Sequence, residues 1–238
     1  MIKTKASKRE LQSLLGKLIF VCKCVRQSRI FVNRIIAAIR SLRQPFYKLR
    51  LTQEFRKDLL WWREFVTIFN GVSIIPDHSW SNPDAVLATD ACLTGCGGVC
   101  GATFFRSEFP ESVQALKLPI HDLEILAIVV GVRVWKEELR GKRVIVYCDN
   151  EASVCALNSG RSSVSFTAAC LRELWFHCCT VQAELRAVHL PGVENRLPDY
   201  LSRAHLHDKY FNNFLYETNN LYLEKMVDYS LFELHDLF

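Results

Sequence analysis

The chain has 238 residues, of which 50% are hydrophobic and 23% are charged, and its formal net charge is +5 at pH 7. This length fits one large or two small domains, and the apolar content supports a sizeable core, which excludes an intrinsically disordered protein. No apolar run approaches the roughly 18 residues of a membrane span, and the N-terminus has no signal-peptide pattern, so we expect an intracellular protein, nuclear or cytoplasmic, without membrane contact.

The first 75 residues have the apolar spacing of three helices. Ser7 and Glu10 form a capping box at the start of the first helix. The second is predicted over residues 28–42, and the third begins near Thr52 and ends at Asn70-Gly71. Short connections between these helices predict a small bundle.

This N-terminal segment is strongly basic. Up to Arg56 it contains fourteen Lys and Arg residues against two acidic residues. Arginines spread over successive helical turns suit a polyanion such as nucleic acid, although a solvated basic face is the alternative interpretation. The candidate nucleic-acid-binding arginines are Arg26, Arg29, Arg34, Arg40 and Arg43.

Residues 76–84 have the composition of a linker, and a different pattern follows them. The apolar run Ala85–Asp90 ends on an aspartate, and a glycine-rich turn leads into a returning strand, Val99–Phe105. A strong helix is predicted over residues 119–139, with Glu124 in its first turns. Asp122 is a competing acidic residue on the same helix.

The stretch KRVIVYCDN, residues 142–150, predicts a buried strand that ends on Asp149. Ligands collect at such strand ends, although an aspartate there can also be the N-cap of the next helix. Two helices, a strand over residues 181–190 and a helix that carries Asp199 follow. The order of elements predicts a mixed sheet with helices on its faces.

The ten cysteines occur in apolar or glycine-rich contexts, and no pair of Cys-x-x-Cys motifs is present. The nearest approach to a ligand cluster is His177-Cys178-Cys179, but adjacent residues of a helix point in different directions. Buried free thiols are therefore the preferred interpretation over zinc or disulfides.

Four stretches resemble, in this order, the blocks of a ribonuclease H (RNase H) domain of the kind carried by reverse transcriptases of LTR-type and DIRS-type retroelements. They are ATDACLTGCGGV, LEILAIV, VIVYCDN and HLPGVENRLPDYLSR, and the resemblance covers residues 84–203. The preceding helical segment resembles the thumb and connection of such enzymes. No Tyr-x-Asp-Asp palm motif occurs, so we expect the chain to have no polymerase activity. The chain is expected to be either the C-terminal part of a longer polyprotein or a standalone derivative of one.

The resemblance implies an α/β fold with a mixed five-stranded sheet flanked by helices, preceded by a small basic helical bundle. The expected division is a thumb/connection-like segment over residues 1–75, a linker over 76–84 and an RNase H-like domain over 85–205. The tail, residues 206–238, has no assigned role, and its aromatic content predicts one or two packed amphipathic helices.

The resemblance also implies the site. Its catalytic, metal-binding carboxylates are Asp90, Glu124, Asp149 and Asp199. They would hold two Mg²⁺ ions, or Mn²⁺, because Mg²⁺ prefers carboxylate oxygens, and without a metal such acids would raise one another's pKa. His189, ten positions before Asp199, matches a mobile proton-shuttling histidine or simply ends the last strand. Asn150 and Asn195 are expected to contact nucleic acid, and Pro198 replaces the small residue usual before the last aspartate.

The activity implied is metal-dependent endonucleolytic cleavage of the RNA strand of RNA–DNA hybrids. The hybrid is the expected partner, and a reverse transcriptase polymerase domain is a further candidate. Two alternatives stay open: a catalytically silent nucleic-acid-binding relic, and an interaction domain whose basic helices bind a polymerase subunit. Shared architecture does not separate these classes.

Overall fold

The computed structural model describes residues 3–24, 26–68, 82–162 and 164–234. The described residues form two compact units, one up to residue 68 and one from residue 82 to 234. Most of the predicted linker, residues 76–81, and the predicted end of the third helix at Asn70-Gly71 lie outside the described residues. In the part of the chain that is described, no helix is long and apolar enough to span a bilayer.

The first unit contains three α-helices and a small antiparallel ribbon. Its elements are β1 (Lys5–Ser7), α1 (Lys8–Cys24), a 3₁₀ helix (Arg26–Val32), α2 (Asn33–Ser41), β2 (Lys48–Arg50) and α3 (Gln53–Ile68). The predicted capping box is present, because the Ser7 N–H donates to Glu10 Oε2 over 2.8 Å and the Glu10 N–H donates to Ser7 Oγ over 3.3 Å. Thr52 Oγ1 caps α3 by accepting from the Phe55 N–H.

The second predicted helix differs from the prediction in its first half. Residues 26–32 form 3₁₀ turns, and α-helical geometry begins only at Asn33. Ile30, Phe31 and Val32 are all buried here, and residues of these types lose side-chain freedom in an α-helix. The local sequence therefore favours helix only weakly at this point.

Aromatic side chains pack together in the core of the first unit. Trp61 lies between Phe31 and Phe65, with ring centroids 3.7 Å and 4.8 Å away. Trp62 donates from Nε1 to the Phe31 carbonyl over 3.2 Å. The two tryptophans are only 2% and 4% exposed, so both are packing residues.

The second unit is an α/β structure with a mixed sheet flanked by helices, as predicted. Its strands are β3 (Ala85–Ala91), β4 (Gly95–Cys100), β5 (Thr103–Glu108), β6 (Arg143–Cys148), β7 (Glu184–His189) and β8 (Leu223–Glu224). Its helices are α4 (Glu111–Gln114), α5 (Ile120–Val134), α6 (Glu151–Ser159), α7 (Ser165–Val181), α8 (Arg196–Ser202), α9 (Asp208–Glu217) and a 3₁₀ helix (Tyr229–Phe232).

The sheet has the order β7-β6-β3-β4-β5-β8. Strands β3, β4 and β5 form an antiparallel meander, whereas β6 is parallel to both β3 and β7. Helix α5 packs against β3 and α7, and α8 packs against β3 and β4. The carboxyl ends of the neighbouring parallel strands β3 and β6 therefore meet at one edge of the sheet.

The predicted hairpin after Asp90 is wrong in detail. The glycines expected to form the turn lie in β4. Residues 92–94 connect β3 to β4, and a second turn at Gly101, whose φ is +58°, connects β4 to β5. The glycines are in a strand because another part of the chain lies directly against them: a Cβ on Gly97 would be 2.3 Å from Leu201 Cβ.

The tail supplies a sixth strand where five were predicted. β8 extends the sheet by pairing in parallel with β5. Phe214 of α9 is fully buried and packs with Phe104 and Leu201, and Phe232 lies edge-on to Phe109. The tail up to residue 234 is thus an integral part of the second unit.

Candidate active site

Four acidic residues reach the site from four elements of the second unit. Asp90 is the penultimate residue of β3, Asp149 follows the last residue of β6, Glu124 lies on α5 and Asp199 lies on α8. Because β3 and β6 are adjacent and parallel, Asp90 and Asp149 emerge at the same edge of the sheet.

Asp90 is almost completely buried, with 4% of its surface exposed. Burial raises its pKa to about 7, and the charges of Asp149 and Asp199 push it in the same direction. Two groups oppose this shift. Ser202 donates from Oγ to Asp90 Oδ2 over 2.6 Å, and the guanidinium of Arg203 is close enough to lower the pKa.

Glu124 is 3% exposed, and burial, together with the charges of Asp90 and Asp149, raises its pKa to about 9. Its Oε1 accepts a hydrogen bond from the Ala91 N–H over 3.2 Å. The competing Asp122 has a different environment, since it accepts a hydrogen bond from Thr167 of α7. Glu124, and not Asp122, therefore belongs to the acidic cluster.

Asp149 is half-buried and does not cap the helix that follows it. The N-cap of α6 is Asn150, whose Oδ1 accepts from the Ser153 N–H over 3.1 Å. The sequence left both interpretations of Asp149 open, and the structure assigns the capping role to its neighbour. Asn150, expected to contact nucleic acid, is thus engaged in helix capping.

Cys148 is part of this cluster, although its apolar sequence context indicated only a buried thiol. Ligand atoms of Glu124, Cys148 and Asp149 all lie within 4.8 Å of one another. Burial raises the pKa of the Cys148 thiol, and its Sγ lies 3.8 Å from Glu124 Oε2. Cys148 is therefore a protonated thiol beside Glu124 and Asp149 at neutral pH, and its position directly before Asp149 in the sequence was the available signal.

Asp199 is paired with Arg203 one helical turn away. The guanidinium Nε donates to Asp199 Oδ1 over 2.7 Å, and both side chains are partly exposed. Pro198 lies in the first turn of α8, where its missing N–H leaves no intrahelical bond unmade. Helix α8 forms despite this substitution.

His189 and Asn195 occupy different environments. His189 is the last residue of β7, is exposed, and has its Nε2 3.1 Å from the backbone oxygen of Asp149. Asn195 is 1% exposed and donates from Nδ2 to the Thr89 carbonyl over 3.0 Å. Its amide therefore holds the start of α8 on β3 and is not presented to solvent.

The candidate arginines of the first unit also divide into groups. Arg29, Arg40 and Arg43 are exposed. Arg34 pairs with Glu54 and with the buried Asp58, at 2.9 Å and 2.8 Å, and so connects α2 to α3. The side chain of Arg26 lies outside the described residues.

Comparison with known proteins gives only distant structural similarity. No protein-family model matches the chain, and no curated protein matches it. Among solved structures, the chain is similar to a foamy viral protease-reverse transcriptase dRH in complex with double-stranded DNA, with a TM-score of 0.34 and 15% sequence identity. The match covers 77% of this chain and 34% of that chain, so this chain spans about a third of that protein's length.

The donor set of the cluster fits a hard divalent cation. Three carboxyl groups lie close together, and burial and mutual repulsion disfavour the charged forms of Asp90 and Glu124. A cation would remove this penalty by compensating the negative charge. Carboxylate oxygens suit Mg²⁺, Ca²⁺ and Mn²⁺ alike.

Sequence reasoning did not select Ser202 and Arg203 as members of the site. They follow Asp199 by three and four residues, a spacing that places side chains on the same face of a helix. The signal was the i, i+4 spacing of an acidic and a basic residue, which brings Arg203 to Asp199. The contact of Ser202 with Asp90 depends on the packing of α8 and has no local signature.

Proposed function

We propose that the chain is a divalent-metal-dependent endonuclease of the RNase H type, which hydrolyses the RNA strand of RNA–DNA hybrids. One observation carries this proposal: Asp90, Glu124 and Asp149 converge from three elements into one acidic cluster, in which Asp90 and Glu124 are buried. Such a cluster is unfavourable for folding because the ionised carboxyl groups are buried and repel one another, so a functional cation is the simplest reason for its presence.

Asp90, Glu124, Asp149 and Asp199 would hold the metal ions. Two such ions, when bound, stabilise the attacking and leaving oxygens of an in-line displacement at phosphorus. Asp199 is partly exposed, and its partner Arg203 keeps a positive charge beside the cluster. This charge suits a site that must accept a phosphodiester.

His189 is proposed to move a proton. Its ring is exposed and contacts the backbone of Asp149, so it lies beside the acidic cluster and in reach of solvent. An imidazole gains and loses a proton near neutral pH, which suits it to deliver a proton to a leaving oxygen.

The exposed arginines of the first unit, Arg29, Arg40 and Arg43, are proposed to contact the phosphate backbone of the hybrid. Backbone contacts bind without reading the base sequence, so selection for RNA would rest on the 2′-hydroxyl and on the hybrid's shape. In this proposal residues 1–75 bind the duplex and residues 85–205 cleave it. A polymerase domain of a reverse transcriptase is a further proposed partner.

The decisive experiment is cleavage of an end-labelled RNA–DNA hybrid beside double-stranded DNA and double-stranded RNA. We expect selective cleavage of the hybrid that requires Mg²⁺, stops with EDTA and falls at least about 10²-fold in Asp149→Asn. Asp208→Asn, on an exposed position of α9, is the control and should cleave normally. Cleavage that survives EDTA or Asp149→Asn would reject the proposal, and salt-sensitive binding without cleavage would support the silent relic.

A further inference from the structure

We propose that Ser202 is a positioning residue that orients the Asp90 carboxylate for metal binding, and that Gly97 allows it to do so by leaving room for the end of α8. The metal-binding part of this inference rests on the proposed function. Three features of the structure support it: the space beside Asp90, the hydroxyl group of Ser202 and the attachment of α8 to β3.

The space beside Asp90 is created by a glycine. Gly97 of β4 is the residue directly opposite Asp90 of β3 in the antiparallel pair. A Cβ at Gly97 would lie 2.3 Å from Leu201 Cβ and 2.9 Å from the Ser202 nitrogen, which is closer than atoms can approach. Only a residue without a side chain lets the backbone of α8 come so near to the strand.

The hydroxyl group of Ser202 is directed at the Asp90 carboxylate. Ser202 is fully buried, and its Oγ lies 2.6 Å from Asp90 Oδ2 and 3.0 Å from the Asp199 carbonyl. The shorter contact has the length of a charge-assisted hydrogen bond to a carboxylate. The Asp199 carbonyl also accepts from the Arg203 N–H, so it does not depend on the hydroxyl. The bond to Asp90 engages Oδ2 and leaves Oδ1 for a ligand.

Helix α8 is attached to β3 at both of its ends. At its start, Asn195 donates to the carbonyl of Thr89, and at its end Ser202 donates to the side chain of Asp90. The two bonds thus hold one short helix on consecutive residues of β3. Because α8 also carries Asp199, this attachment sets the relative positions of two proposed metal ligands.

A purely structural role for Ser202 makes a different prediction. If its hydroxyl only stabilises the end of α8, then Ser202→Ala should lower stability and leave metal affinity unchanged. If it orients Asp90, the same change should weaken metal binding in a folded protein, because groups that hold a ligand typically contribute about 10-fold to 100-fold in affinity.

The test is Mn²⁺ binding to the metal-free full chain, measured from the loss of the free-ion EPR signal. We expect Ser202→Ala to weaken Mn²⁺ binding about tenfold or more. The matched control is Ser28→Ala, which removes another fully buried serine hydroxyl, in the first unit, and should leave the affinity unchanged. Thermal unfolding of each variant shows whether it is folded. Should Ser202→Ala not fold, Ser202→Cys, whose side chain is slightly larger and donates only weakly, should show the same loss.

A double-mutant cycle connects the effect to Asp90. In an Asp90→Asn background, Ser202→Ala should change the Mn²⁺ affinity by less than about twofold, because the carboxylate that it orients is gone. An unchanged affinity in Ser202→Ala, an equal loss in both backgrounds, or a wild-type chain whose Mn²⁺ binding does not depend on Asp149 would each overturn the inference. Mn²⁺ binding without hybrid cleavage would reject the nuclease and leave the role of Ser202 intact.

Discussion

Glu124 of α5 is bound to the backbone of Ala91, the last residue of β3, through a 3.2 Å hydrogen bond from the Ala91 N–H to Oε1. This bond keeps the Glu124 carboxyl beside Asp90 in a place from which water is largely excluded. Burial first, and repulsion between the acids second, raise the pKa values of Glu124 and Asp90 to about 9 and about 7. The metal-free protein therefore holds protons that the unfolded chain releases.

The stability of the metal-free protein should consequently fall as pH rises. Glutamate and aspartate ordinarily have pKa values of 4.5 and 3.8, so between about pH 4 and pH 9 the folded state binds more protons than the unfolded state. The stabilising contribution is complete below this window and is lost above it. Chemical unfolding in EDTA at several pH values should show the slope, and Glu124→Gln should make it shallower.

The exposed Glu111 provides the control for this experiment, because Glu111→Gln should leave the slope unchanged. Added Mg²⁺ should stabilise the wild type more at pH 8 than at pH 5, since the ion binds the deprotonated acids. A profile that is equally steep in Glu124→Gln would contradict the prediction.

Gly97→Ala should destabilise the second unit by about 1–3 kcal/mol, because the new methyl group would overlap Leu201 and the backbone of α8. Gly16→Ala is the matched change in open space: Gly16 lies inside α1 with nothing within 4 Å of an added Cβ. It should raise stability by about 0.5–1 kcal/mol. Denaturant titration measures the free energy of unfolding of both variants. If the two changes had equal effects on it, the close approach of α8 to Gly97 would not require a glycine.

Replacing arginines of the first unit should separate stability from binding. Arg34→Ala should cost about 1–3 kcal/mol because it breaks the pairs with Glu54 and Asp58. Arg40→Ala and Arg43→Ala, at exposed positions, should change stability by less than about 0.5 kcal/mol. Each of these two should instead reduce the slope of log affinity for the hybrid against log salt by about 0.9. Salt-independent binding would favour a protein partner instead.

Phe214→Ala should destabilise the second unit by about 3–5 kcal/mol, because this tail residue is fully buried against Phe104 and Leu201. Tyr216→Ala, on the same helix but 85% exposed, should change stability by less than about 0.5 kcal/mol. Thermal unfolding compares the two variants. If both had small effects, α9 would not contribute to the core.

His189→Ala should lower the rate of hybrid cleavage about 10²-fold while the affinity for Mn²⁺ stays the same. The reason is that the imidazole lies beside the acidic cluster and contacts it through the backbone of Asp149 alone. His207→Ala, which removes an exposed histidine at the start of α9, is the control. If His189→Ala cleaved the hybrid at the wild-type rate, His189 would have no role in proton transfer and would simply be the last residue of β7.

Local patterns were sufficient where the physical cause is local. The capping box of Ser7 and Glu10 and the Thr52 cap of α3 follow from side chains that bond within three residues. The strand that ends before Asp149 follows from a run of β-branched residues, although its residues alternate between buried and half-buried and are not all buried. The α/β class follows from the alternation of such segments.

Local patterns failed where a distant segment decides. The glycines after Asp90 suit a turn as well as a strand, and the packing of α8 against Gly97 selects the strand. The sequence already favoured Glu124 over Asp122, and the physical reason is distant: Asp122 accepts a hydrogen bond from Thr167, which is 45 residues away. The sixth strand depends on pairing between β5 and a tail segment of two residues, which is too short for a periodic signal.

Periodicity and strand ends are properties of neighbouring residues, so the amino-acid sequence was enough to predict the class of fold and the order of its main elements. The four candidate acidic residues came from the resemblance to the RNase H blocks. Tertiary packing was needed to bury Asp90 and Glu124 together, to hold α8 on β3 through Asn195 and Ser202, and to make Arg34 a structural residue. Burial and long-range hydrogen bonds depend on which segments pack together, and residues far apart in the chain make those contacts.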